Sequence, residues 1–127
     1  MALPQIKFSK ISPTPLRVTV QIGQLVYGHY ELYLWDATGT NQTQIGEGVN
    51  NDDVPDVVQL PLSPASYDGQ TVEWRLDAAP LPNGDATYQA TVIVLQGNQA
   101  LPGGTFSWNG DLGNGKEIVG GAVLVGT

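Results

Sequence analysis

Strict alternation of apolar and polar residues is the feature of this sequence that most limits its fold. In the segment LRVTVQI, residues 16–22, every second residue is apolar and the residues between them are polar. A period of two places the two sets of side chains on opposite faces of an extended strand, whereas a helix would repeat about every 3.6 residues. Because most of the apolar residues are β-branched, the segment predicts a β-strand with one buried face.

The same alternation returns along the chain, and each occurrence predicts another strand. In residues 28–35, Tyr30, Leu32 and Leu34 share one face. Residues 71–77 alternate throughout, and residues 87–95 begin by alternating and then become continuously apolar. A continuous apolar run is typical of a central strand that is covered on both faces. Shorter strands are predicted for residues 6–8, 57–62, 105–108 and 118–125. Tight hairpin turns are predicted at Asp68-Gly69, Asn83-Gly84, Asn109-Gly110 and Asn114-Gly115.

No segment shows helical periodicity, and sixteen glycines and nine prolines are spread along the chain. We therefore expect one domain, residues 1–127, folded as an antiparallel β-sandwich of about eight or nine strands, with a barrel as the alternative. The strand pattern resembles that of immunoglobulin-like sandwiches, and a jelly roll is the other candidate. The disulfide of true immunoglobulin domains is absent because the chain has no cysteine. The predicted core consists of Val18, Val20, Leu32, Leu34, Trp74, Leu76, Val92 and Val94.

The charge balance excludes some partners and favours others. Twelve acidic residues against five basic residues give a net charge of -7. This balance argues against nucleic acid and against anionic membrane surfaces, because both bind mainly through basic residues. It is compatible with cations, basic proteins and neutral ligands such as carbohydrate. The sequence has neither a signal peptide nor an apolar segment long enough for membrane insertion, so we expect a soluble protein of unknown location.

The acidic loop, defined as NNDDVPD at residues 50–56, is the candidate cation site of the sequence. Calcium binds carboxylate and amide oxygens, so the predicted ligands would be Asn50, Asp52, Asp53 and Asp56. The loop lacks the EF-hand pattern, however, and Asn and Asp are also favoured in turns because their side chains bind nearby backbone amides. A solvated turn is therefore the preferred interpretation, and calcium is the alternative cofactor.

One face of the strand at residues 28–35 carries the candidate ligand-binding residues. His29, Glu31, Tyr33 and Trp35 alternate with the apolar residues of that strand. Such a row could bind a ligand, and it could equally be solvated or covered by a loop or a second subunit. Trp108 is added to the predicted ligand-binding set because an indole can stack on a sugar.

These features predict a non-enzymatic binding or structural module that forms a homo-oligomer or joins a protein partner in a larger assembly. The alternative is a calcium-assisted carbohydrate-binding module, in which the acidic loop meets hydroxyl groups and Trp35 or Trp108 stacks on a sugar. A small hydrolase is the third interpretation. We predict no catalytic residues, because the chain has one histidine, no cysteine and no nucleophile-elbow motif.

Overall fold

The computed structural model describes residues 2–23 and 25–127, which form an all-β structure. Its strands are β1 (Gln5–Phe8), β2 (Leu16–Gln21), β3 (Val26–Trp35), β4 (Gln42–Val49), β5 (Asp56–Gln59), β6 (Thr71–Pro80), β7 (Thr87–Gln96), β8 (Gln99–Asp111) and β9 (Lys116–Gly126). One short 3-10 helix, Pro64–Tyr67, precedes β6. Within the described residues, no helix has the length and apolar character that are needed to cross a membrane.

The strands form two sheets that enclose a common core. The five-stranded sheet has the order β1-β9-β6-β3-β4, and the four-stranded sheet has the order β5-β2-β7-β8. Neighbouring strands run antiparallel except for β1 and β9, which are parallel. The sheets are not closed into a barrel. The prediction of a mostly antiparallel two-sheet structure is therefore confirmed, and the barrel alternative is wrong.

The core lies between the sheets and is centred on aromatic rings. All of the predicted core residues are buried, namely Val18, Val20, Leu32, Leu34, Trp74, Leu76, Val92 and Val94. Trp74 of β6 packs against Phe106 and Trp108 of β8, with ring centroids 4.7 and 6.0 Å away. Because β6 and β8 belong to different sheets, these contacts join the two layers.

A glycine makes room for the central indole. Gly120 of β9 lies directly opposite Trp74, and a Cβ atom at this position would come within 2.6 Å of the indole Nε1. A larger residue would therefore force the ring or the strand to move. The paired glycines of β9 thus reflect close packing against β6.

Several local predictions are wrong in ways that the topology explains. Strand β4 was not predicted, because its residues are mostly polar and form an edge of the sheet. Asn109-Gly110 lies within β8 instead of forming a turn. Asn83-Gly84 and Asn114-Gly115 lie between strands of different sheets, so they do not close hairpins. The hairpins that do form are β3–β4 and β7–β8.

The turn of the β3–β4 hairpin is organised by the carboxylate of Asp36. This carboxylate accepts hydrogen bonds from the Thr40 amide at 2.9 Å and from the Asn41 side chain at 2.8 Å. The hydroxyl groups of Thr38 and Thr40 also donate to it. The Thr40 amide, followed by the Asn41 side chain, holds the pKa of Asp36 well below its usual range. The turn thereby favours the pairing of β4 with β3.

Replacement of a buried valine tests the assignment of the core face. Val92→Ala should lower the free energy of unfolding by about 1–3 kcal/mol, because it removes buried methyl groups and leaves a cavity. Val54→Ala is the matched control, since Val54 is 61% exposed and its replacement should change stability by less than about 0.5 kcal/mol. Urea unfolding measures both values. Equal midpoints for the two variants would contradict the face assignment.

Replacement of Asp36 tests the turn through its pH dependence. Because the pKa of Asp36 is lower in the folded chain than its value of about 3.9 in an unfolded chain, ionised Asp36 stabilises the fold above about pH 5. This contribution is lost as the pH falls below that range. Asp36→Asn should therefore show a smaller loss of stability between about pH 5 and pH 2.5 than the parent protein does.

The matched control for this pH experiment is Asp111→Asn, which removes an exposed carboxylate on the other sheet. Denaturant midpoints measured across the pH range should distinguish Asp36→Asn from this control. If all three proteins lose stability in parallel as the pH falls, Asp36 does not organise the turn.

Candidate functional site

The outer face of the five-stranded sheet brings polar and aromatic side chains from three strands into one surface. The predicted row on β3 pairs with residues of β4 on one side and with residues of β6 on the other. We call this surface the polar face and define it as His29, Glu31, Tyr33 and Trp35 of β3, Gln42, Gln44 and Glu47 of β4, and Glu73, Arg75 and Asp77 of β6. The four residues that the sequence predicted on β3 are therefore part of a wider surface that spans three strands.

A bulge in β4 determines which of its side chains join this surface. The register shifts between Leu32 and Tyr33, so Ile45 has no partner of its own on β3. In a regular strand Gln44 and Glu47 would lie on opposite faces, because side chains alternate. The extra residue at the bulge places both of them on the outer face, with Glu47 directly opposite Glu31.

Tyr33 is fixed by contacts at its hydroxyl group and at its ring. The hydroxyl donates a hydrogen bond to the Glu31 carboxylate, and the Arg75 guanidinium lies 4.8 Å from the ring centroid. The hydrogen bond to Glu31, followed by burial, raises the pKa of Tyr33 above its ordinary value. One side of the ring is therefore covered by a cation, and the hydroxyl group is held by Glu31.

Glu73 organises the end of the polar face that lies around Trp35. Its Oε1 atom accepts hydrogen bonds from Trp35 Nε1 at 3.1 Å and from Gln42 Nε2 at 2.8 Å. Arg75 Nη2 lies 3.6 Å from the same oxygen. Because the Glu73 side chain is only 19% exposed, these donors act in a partly desolvated environment and hold the indole in place.

His29 and two glutamates lie together at the other end of the polar face. His29, Glu31 and Glu47 each offer one ligand atom, and these atoms all lie within 4.8 Å of one another. Asp77 Oδ2 lies 3.9 Å from His29 Nδ1, and Gln44 Nε2 donates to Glu47 at 3.1 Å. Sequence reasoning missed Glu47 because neither its strand nor the bulge was predicted.

The polar face is acidic. It carries four carboxylates (Glu31, Glu47, Glu73 and Asp77) and one guanidinium, that of Arg75. The chain as a whole has a net charge of -7. Both the local and the overall charge therefore attract cationic groups.

Trp108 does not belong to the polar face. It lies on β8 in the four-stranded sheet, opposite Ala90, and packs against Trp74 on the inner side of the sandwich. The structure therefore does not bring it together with Trp35. Its partial burial is that of a residue at the margin of the core.

In the acidic loop, two of the predicted calcium ligands are occupied by structural hydrogen bonds. Asn50 is 1% exposed, and its Oδ1 accepts the Ile22 amide at 2.9 Å. Its side-chain amide donates to the Val54 carbonyl and to Asp56. The other Asp56 oxygen accepts the Tyr30 hydroxyl at 2.8 Å. Burial, together with this hydrogen bond, raises the pKa of Tyr30 to about 12.

The remaining predicted calcium ligands are exposed. Asp52 Oδ1 accepts the Val54 amide at 3.1 Å, which is the hydrogen bond of an Asx turn, and Asp53 accepts the Gln21 side chain through its backbone carbonyl. The loop is thus held by hydrogen bonds among its own groups and to β2 and β3. Calcium at this position stays a prediction.

An open groove of about 770 Å³ lies at one end of the sandwich and includes Asp53, Asp85 and Asp111 in its lining. These carboxylates do not converge. Among the described residues, the His29, Glu31 and Glu47 group is the one in which three such side chains bring ligand atoms within 4.8 Å of one another.

Comparison of the chain with protein-family models, with curated proteins and with solved structures finds no match. Function is therefore inferred from the geometry and charge of the polar face.

Replacement of Asn50 tests whether the acidic loop depends on its buried amide. Asn50→Ala should lower the free energy of unfolding by about 1–3 kcal/mol, because the Ile22 amide and the Val54 carbonyl lose their partner. Asp53→Asn is the matched control, since its carboxylate is exposed and the change should cost less than about 0.5 kcal/mol. Urea unfolding measures both. Equal stabilities would show that Asn50 does not hold the loop.

Proposed function

We propose that this protein is a non-enzymatic binding module that works within a larger assembly, and that its polar face recognises a basic surface of a protein partner. The observation that carries the proposal is the pre-ordered arrangement of Tyr33, Trp35 and Arg75 among carboxylates. Tyr, Trp and Arg are the residue types that contribute most often to the energetic centre of protein interfaces.

The order of these side chains before binding supports the proposal. Immobilising a flexible side chain at an interface costs about 0.5–1.5 kcal/mol. Tyr33 is already held by Glu31 and Arg75, and Trp35 is already held by Glu73. Much of this cost is therefore met within the free protein, and more of the contact energy is left for affinity.

Charge supports a basic partner over a second copy of this chain at the same surface. In a two-fold symmetric dimer through the polar face, the same patch would meet itself and place carboxylates against carboxylates. Like charges brought together at an interface cost several kcal/mol. A partner rich in Lys or Arg would instead be attracted over a long range by the acidic face. A homo-oligomer would then use a different surface.

Carbohydrate is the second candidate ligand, and the aromatic and amide groups around Trp35 favour it. Gln42 and Glu73 lie beside the indole and could bind sugar hydroxyls. The acidic loop begins one residue beyond Val49, which pairs with His29 at the opposite end of β3. His29 and Trp35 are about 20 Å apart along the strand. A carbohydrate that contacts both the acidic loop and Trp35 would therefore be an oligosaccharide of several sugar residues. Arg75 also covers one side of the Tyr33 ring, which leaves fewer stacking surfaces.

We further propose that the sandwich is immunoglobulin-like and not a jelly roll. The neighbouring strands β9, β6, β3 and β4 have the same spatial order as the strands named G, F, C and C′ in the sheet of a variable-type immunoglobulin domain. The β7–β8 hairpin is a departure from that pattern, because it separates β6 from β9 along the chain and pairs in the other sheet.

The binding proposal is tested by nuclear magnetic resonance titration with an oligoarginine peptide. We expect the largest shifts at the Trp35 indole and at the backbone of β3, β4 and β6. Glu47→Gln should weaken the affinity about two- to fivefold, the effect of one exposed charge pair. Asp111→Asn removes the same charge from the other sheet and should leave the affinity nearly unchanged.

Two outcomes would contradict this proposal. Equal weakening by Glu47→Gln and Asp111→Asn would mean that the peptide responds only to net charge. A dimer in sedimentation experiments that both Tyr33→Ala and Trp35→Ala convert to a monomer would show that a second copy occupies the polar face.

A further inference from the structure

We propose that His29, Glu31 and Glu47 form a binding site for a divalent transition-metal ion such as zinc. His29 and Glu31 are two residues apart on β3, so they share a face, and Glu47 lies directly opposite Glu31 on β4. Their ligand atoms lie within 4.8 Å of one another. Ligand atoms around tetrahedral zinc are about 3.4 Å apart, given metal–ligand distances near 2.0–2.1 Å. Small side-chain rotations therefore close the site.

The donor set selects the class of metal. One imidazole with two carboxylates suits zinc and its first-row neighbours. Calcium is disfavoured, because it takes six to eight oxygen ligands and does not use imidazole nitrogen. Three protein ligands leave one tetrahedral position for water or for a group of another molecule. A metal ion is a different ligand from the basic partner proposed above, and its binding does not depend on that partner.

Residues outside the triad are placed to orient its ligands. Metal-bound histidines commonly donate their second ring N–H to a carboxylate. Asp77 Oδ2 of β6 lies 3.9 Å from His29 Nδ1, so a small movement would let it accept that N–H and leave Nε2 for the metal. Tyr33 donates to Glu31, and Gln44 donates to Glu47. Glu31 and Glu47 are therefore each held by a hydrogen bond, and Asp77 is close enough to orient His29 after a small movement.

The charge arrangement at this end of the polar face also favours a bound cation. Glu31 and Glu47 are directly opposed across two antiparallel strands, and like charges in that position destabilise the pairing. Arg75 of β6 lies opposite Glu31 on its other side, but its guanidinium lies over the Tyr33 ring and 3.6 Å from Glu73. A metal ion bound between the two glutamates would neutralise the repulsion that Arg75 leaves.

The test is a calorimetric titration of the chelator-treated protein with zinc chloride. The protein carries no affinity tag, so its single histidine is the only imidazole present. We expect one equivalent to bind and the melting temperature to rise. His29→Ala and Glu47→Gln should each weaken binding at least tenfold, and Asp77→Asn should weaken it about tenfold. Asp53→Asn is the matched control for the acidic loop and should leave the zinc affinity unchanged. Circular dichroism checks that each variant is folded.

A second readout uses cobalt(II) in place of zinc. Tetrahedral coordination should give visible absorption bands that His29→Ala abolishes and Asp53→Asn retains. Absence of both heat and thermal shift at millimolar zinc would overturn the site, as would zinc binding that is unaffected by His29→Ala. The oligoarginine titration is carried out in chelator, so failure of the metal site leaves the result for the partner-binding proposal intact.

Discussion

The packing of Trp74 between the two sheets is the interaction on which the rest of the structure depends. Its indole Nε1 has no hydrogen-bond partner among the described residues, although the side chain is 1% exposed. An unpaired buried donor costs about 1–3 kcal/mol, whereas burial of an aromatic side chain of this size contributes about 4–6 kcal/mol. The ring therefore stabilises the fold despite its unpaired N–H. Gly120 is the residue that allows this placement.

The outward face of the same strand shows how the core and the candidate site are connected. Side chains alternate along β6, so the burial of Trp74 and Leu76 directs Glu73 and Arg75 outward. Arg75 then reaches the Tyr33 ring, and Glu73 reaches Trp35. The polar face is thus positioned by the hydrophobic residues beneath it. The contacts among its side chains form within the sheet itself.

The alternation of apolar and polar residues was enough to predict most strands, the core and the candidate residues of β3, because it shows which side chains of a strand face the core. The pairing of strands that are distant in the sequence has no such local pattern, so the neighbours of Tyr33 and Trp35 could not be predicted. The bulge at Ile45 changes the face of Glu47, and no local pattern in the sequence of β4 predicts it.

Trp108 was wrongly grouped with the surface residues, because a tryptophan side chain suits a surface site and the margin of a core equally. The cluster of acidic residues in the acidic loop was likewise compatible with a metal site and with a turn. The buried amide of Asn50 serves the turn, because it accepts the Ile22 amide.

The separation of β6 from β9 along the chain affects how this protein can fold during synthesis. Strand β9 pairs with both β6 and β1, and the whole β7–β8 hairpin is made before β9 appears. On the ribosome, the five-stranded sheet therefore stays divided, with β1 and β6 lacking their shared neighbour, until β9 emerges. Such long-range pairing slows folding, because loops must close before the contacts form. During this interval the unpaired edges of β1 and β6 are free to pair with other chains, so the incomplete sheet is prone to aggregation.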